Sequence, residues 1–142
     1  MSEIQFDVKV EPISATHQSS LRVLKTRSGR FFIGKCSNSK IKRWLSEFEA
    51  AASKHKPSRP FEKPCSIYIG FFFKHLKSVS KAKAETTFFK TTRPDLDNLE
   101  KSVLDSLVRM GFLVDDSIIC NKTSEKFHSP DPKISIILRE MP

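Results

Sequence analysis

The sequence predicts an α+β domain, a mixed β-sheet of about four main strands covered by two helices. Three observations carry this expectation. Apolar residues recur at two-residue spacing or in short unbroken runs in some segments, and at helical spacing in others. The two kinds follow one another as strand, hairpin, helix, strand, helix, strand, strand, an order that strict βα alternation would not produce. At 142 residues, the chain suits one domain spanning 1–142, and such a chain buries roughly 68–70% of its unfolded surface. The apolar content of 38% with 12 Phe exceeds that of a disordered chain.

Ile4, Phe6, Val8 and Val10 alternate with Gln5, Asp7 and Lys9, the period of a strand with one buried face, and Pro12 ends it. From Ser14 to Ser39 the chain is polar and basic, with Arg22, Lys25, Arg27, Arg30 and Lys35. Within it, Ser28-Gly29 separates L-R-V-L from F-F-I, which predicts a hairpin or ordered loop. Its cations suit either a phosphate-contacting arm or a solvated loop. Ile41, Trp44, Leu45, Phe48 and Ala52 define a helix from Lys40 that Pro57 forbids from continuing far. Trp44 lies within that apolar stripe and reads as core rather than as a base-stacking platform.

The proline-rich K-H-K-P-S-R-P-F-E-K-P is a linker. Ser66 to Lys74, nearly all apolar and rich in aromatic residues, is the central strand. A basic flexible loop follows around residues 75–92, with Lys81, Lys83 and Lys90 set among small residues; it reads as a lysine flap over DNA or as a solvated loop. Pro94 turns the chain toward a helix that starts around Asp97 and ends at Gly111. Leu99, Val103, Leu104, Leu107, Val108 and Met110 cover one arc of that helix, and Asn98, Ser102, Ser106 and Arg109 the other. Ile118 and Ile119 begin a strand toward Phe127, S-P-D-P makes a turn, and Lys133 to Arg139 is the last strand.

Cys36, Cys65 and Cys120 lack the paired spacing of a zinc site and read as reduced, mostly packing residues of a cytoplasmic protein. No apolar run approaches the ~18 residues of a membrane span, so no membrane partner is expected. Net charge is +9 but segregated: residues 14–63 carry +9, whereas 95–116 carry −4. Basic flanks around an acidic centre suit a polyanion binder that also needs a divalent metal.

Taken singly, the acidic residues have bland explanations. Asp97 with Glu100 fits a helix start, Lys101 with Asp105 an i, i+4 ion pair, and Asp115-Asp116 a turn. Together they ask for more, because a cap needs one carboxylate and here Asp95 and Asp97 precede the helix while two Asp follow it. The pattern lacks the ligand spacing of an EF-hand, and oxygen-only donors favour Mg²⁺. Converging carboxylates would repel DNA, which makes the basic flanks necessary. Lys101 is placed to stabilise charge developing on phosphate. A non-catalytic nucleic-acid-binding protein and a less selective metal nuclease are the competing readings.

P-D-L-D-N-L-x-K-x-x-x-D-x-L followed by G-x-x-x-D-D resembles the RusA family of Holliday-junction resolvases, magnesium-dependent endonucleases of bacteria and their phages. Lys126, ten residues after Asp116, and T-R-S-G-R-F-F-I support the resemblance. It implies a RusA-like fold with Asp95, Asp97 and Asp116 as metal-binding, catalytic carboxylates and Lys101 as a catalytic lysine. Asn98, Asp105 and Asp115 match in supporting roles. It further implies Mg²⁺, with Mn²⁺ as a substitute, and a homodimer nicking symmetrically related strands of a DNA four-way junction. Arg22, Lys25, Arg27, Arg30, Lys81, Lys83, Lys90, Arg93 and Lys126 are the expected DNA contacts.

Overall fold

A computed structural model describes residues 2–13, 21–35 and 39–142. The side chains of Leu21, Arg22 and Lys35 and the whole of Cys36 lie outside the described residues, so the expectations for Arg22 and Cys36 are not placed.

The chain forms β1 (Glu3–Val8), β2 (Leu21–Lys25), β3 (Phe31–Lys35), α1 (Ser39–Ala52), β4 (Cys65–Phe73), α2 (Lys81–Ala84), β5 (Phe88–Phe89), α3 (Leu96–Met110), β6 (Ile119–His128) and β7 (Lys133–Glu140). One sheet runs β1-β7-β4-β6-β5, and β2-β3 is a separate hairpin. Only β4 and β6 are parallel; the other pairs of the large sheet are antiparallel. The mixed sheet therefore has four long strands and the two-residue β5 at its edge. β4 is central, as its apolar run predicts. No described helix is long and apolar enough to cross a membrane.

One face of the sheet is the core. Ile67, Ile69 and Phe71 of β4 stand opposite Leu138, Ile136 and Ile134 of β7, and Phe6 of β1 continues the row across Ile136. All are buried, and α1 covers them with Ile41, Trp44, Phe48 and Ala52. α3 contributes Leu99, Val103 and Leu107. Each fully buried aliphatic or aromatic side chain contributes on the order of 1.5–3 kcal/mol.

Ser102 and Ser106, on the arc of α3 away from its apolar stripe, are also buried. Small hydroxyl side chains fit there with their polar atoms satisfied: Ser102 Oγ donates to the Asn98 carbonyl, and Ser106 Oγ accepts from Arg109. Arg109 also pairs with Glu49 and thereby ties α3 to α1. Gly111 ends α3 at φ +79°, the left-handed conformation that favours glycine. The proline-rich linker is anchored at Phe61, which is buried and bridges to Leu113 just beyond that cap. Residues 75–92, expected as loop, carry the single turn α2 and the edge strand β5, which pairs with β6 at Phe88–His128 and Phe89–Phe127.

Candidate active site

α3 is held alongside β6 at two points that place the acidic centre. Lys126 donates to the carbonyls of Thr92 and Pro94, each at 2.8 Å. Nearer the start of β6, Lys122 pairs with the largely buried Glu100. The helix therefore runs antiparallel to β6, with its N-terminal end fixed beside Lys126. Lys90 reinforces this corner, since its backbone N–H bonds to the Lys126 carbonyl at 2.9 Å and its ammonium to Thr92 Oγ1 at 2.6 Å. Burial and the neighbouring Lys126 charge hold the Lys90 pKa below its ordinary value.

The motif residues are set apart by what they do not do. Asp95 is the N-cap position of α3, yet its side chain makes no capping bond. Asp97 lies in the first helical turn rather than at the cap, so the Asp97–Glu100 helix-start explanation does not hold; Glu100 is engaged by Lys122 instead. The Lys101–Asp105 ion pair is likewise not formed among the described residues. Asp95, Asp97, Lys101, Asp105 and Asp116 are all exposed, and their side chains have no hydrogen-bond or ion-pair partner among the described residues. Asn98 is half-buried, and its carbonyl serves Ser102.

Asp115 and Asp116 divide their work. Asp115 Oδ1 accepts from the backbone N–H of Ser117 at 2.9 Å and caps the short turn Asp116–Ile118. The Ser117 side-chain and backbone bonds hold its carboxyl below the ordinary carboxylate value. Asp116 opens that turn with a free carboxylate, immediately before β6. The turn Asp116–Ile118 stands between the end of α3 and the start of β6 and packs against α3.

In donor chemistry, Asp95, Asp97 and Asp116 fit a hard divalent cation, being oxygen-only, exposed and uncommitted. Among the described residues, however, no three His, Cys, Asp or Glu side chains are gathered closely enough to hold a metal ion. Asp95 and Asp97 come together on one helix start, whereas Asp116 arrives from a separate turn.

The expected DNA contacts fall in three places. Lys25, Arg27 and Arg30 are exposed on the β2–β3 hairpin, with Lys25 over the Phe31 ring. Lys81 and Lys83 lie on α2, Lys83 over the Phe88 ring at 4.5 Å. Lys90, Arg93 and Lys126 flank the approach to Asp95, Arg93 exposed and the other two drawn into the corner contacts. The structural duties of Lys122 and Lys126 escaped sequence reasoning. Alternation along β6 puts both on the helix-facing side, but only the paired register with buried Ile67 and Phe71 reveals it.

The chain matches the family Endodeoxyribonuclease RusA over residues 12–139. It is 30% identical to an uncharacterized protein, YqaN, of Bacillus subtilis (strain 168), across 99% of each chain. It is 33% identical to a crossover junction endodeoxyribonuclease rusA of Lactococcus phage r1t, across 66% of this chain and 69% of the relative.

Proposed function

The chain belongs to the Endodeoxyribonuclease RusA family, and from that premise we propose that it resolves Holliday junctions by paired symmetric nicks, as a Mg²⁺-dependent homodimer in the cytoplasm. The observation that carries this reading is the set of uncommitted charges. Glu100 and Arg109 of the same helix are tied into the fold, while Asp95, Asp97, Lys101 and Asp116 are left to solvent. Charged side chains that a fold neither pairs nor uses as caps, gathered along one motif, suit a substrate better than they suit stability.

In this reading Asp95, Asp97 and Asp116 would hold the cation, which supplies water activation and leaving-group stabilisation when bound. Mn²⁺ would substitute, since it accepts the same oxygen donors. Lys101, one turn into α3, offsets charge that develops on the scissile phosphate. Asp115 fixes the turn carrying Asp116, and Lys126 fixes the backbone leading to Asp95. Asn98 and Asp105 flank the catalytic row in supporting roles. The cations of the hairpin and of residues 81–93 hold the phosphate backbone against an acidic centre that would otherwise repel it.

The test is incubation of the protein with a synthetic four-way junction and Mg²⁺, beside linear duplex of the same sequence. Paired nicks at symmetric positions, supported also by Mn²⁺ and lost with chelator, are expected. Tight junction binding without cleavage across metals and sequences would overturn the enzyme reading. Equal cleavage of linear duplex would replace it with a less selective nuclease.

A further inference from the structure

A cavity of about 590 Å³ opens between α1 and the turn that follows β4, apart from the motif carboxylates. Its size lies within the range of small-ligand sites. Ile13, Trp44 and Phe73 line it with apolar and aromatic surface, and Arg43, Lys74 and Lys77 bring positive charge. Glu11 and Glu47 offset part of that charge by pairing with Lys74 and Arg43.

His75 is the unusual member of the lining. Both its ring nitrogens are buried without a hydrogen-bond partner in the protein, although the ring packs beside Phe88 at 5.2 Å and His128 at 6.0 Å. A buried imidazole carries a donor and an acceptor and is costly when neither is used. The edge of a nucleobase presents both kinds of group. Lys90 joins this cavity to the proposed active site: it lines the cavity, lies over the Phe73 ring at 5.1 Å, and is bonded to the Lys126 backbone. From Lys90 to Asp95 is five residues, at most about 18 Å of extended chain.

We propose that this cavity is a second DNA subsite, which takes one unstacked nucleotide of a junction strand a few positions from the scissile phosphate. The base lodges against the exposed Leu76 beside His75, and the rim cations hold its phosphate. The proposal rests on the junction-resolving function above and adds a contact that linear duplex, with its bases stacked, does not supply.

Photocrosslinking tests it on the full chain. Four-way junctions carrying 5-iododeoxyuridine at successive positions around the branch point are bound in chelator and irradiated. A crosslink at one position to His75 or Leu76 is expected. His75→Ala should lower junction cleavage by about tenfold. Arg43→Ala, an exposed change that leaves the fold intact, should weaken junction binding several-fold and leave duplex binding unchanged. Crosslinks only outside the cavity, with both variants binding and cleaving junctions like the parent, would overturn the subsite while the resolvase reading stands. Failure of the parent protein to bind junctions would overturn both.

Discussion

The Lys126 ammonium, near the end of β6, donates to the carbonyl of Pro94 at 2.8 Å and so clamps the residue immediately before Asp95. A second bond, to the Thr92 carbonyl, leaves one of its three N–H donors free. Lys126→Met should therefore act on position more than on charge. The expected result is a loss of junction cleavage of about tenfold in single-turnover kinetics, as if about 1.4 kcal/mol of positioning were lost when the backbone before Asp95 is released. The salt dependence of binding should be unchanged. A slope reduced by about one, with a normal cleavage rate, would instead make Lys126 a phosphate contact.

Asp97 has no partner within the described residues, which separates function from folding at this position. Asp97→Asn should abolish cleavage while retaining or strengthening junction binding, because it removes a proposed metal ligand and a charge that repels phosphate. Its thermal stability should stay within about 0.5 kcal/mol of the parent, as for other exposed, unpartnered sites. A large drop in Tm would show that the carboxylate serves the helix after all.

Much of this architecture was legible from periodicity. The alternation of Ile4, Phe6 and Val8, the apolar run of β4 and the stripe Ile41–Trp44–Phe48 each report one buried face, and burial is what the sheet and α1 realise. Ser102 and Ser106 show what periodicity leaves open: a serine whose hydroxyl bonds within its own helix can be interior. The acidic motif was legible in identity but not in arrangement. Whether a carboxylate caps, pairs or stays free depends on partners such as Lys122 and Ser117, which reach Glu100 and Asp115 through tertiary register or a local turn.

Acid should weaken the join between β1 and β7. Asp7 is desolvated, which raises its pKa, but bonds from Ser135 and Lys133 outweigh this and leave it below the ordinary value of 3.8. Asp131, bonded to Lys9, and Glu140, bonded to the Ser2 backbone, are lowered too. A carboxylate with a depressed folded pKa stabilises the protein above its unfolded pKa, and that contribution is lost as pH falls through the folded value. The stability gap between parent and Asp7→Asn, from urea melts, should be constant near neutrality and close below about pH 4. A gap that persists to low pH would mean that Asp7 acts by packing alone.

Gly111 should be costly to replace for a backbone reason. Its φ of +79° is the left-handed region, whereas a Cβ there would meet only the flexible end of Lys56, Nζ at 3.2 Å. Steric conflict is therefore minor and conformational strain dominates, at about 1–2 kcal/mol. Gly111→Ala should lower Tm by several degrees, and Gly111→Asn, which tolerates this region better, by less. Equal losses for the two would point to side-chain crowding instead.

Lys81 tests the basic approach without touching the corner that Lys90 and Lys126 build. It is exposed on the single turn α2, where neither burial nor a partner among the described residues holds it, so truncation should not disturb the fold. If α2 lies over bound DNA, Lys81→Ala removes one phosphate contact. The slope of log K against log salt should then shrink in magnitude by about 0.9, and affinity should fall alike for all junction sequences. An unchanged slope would make residues 75–92 a connection between β4 and the proposed active site, and would leave the hairpin cations to hold the backbone.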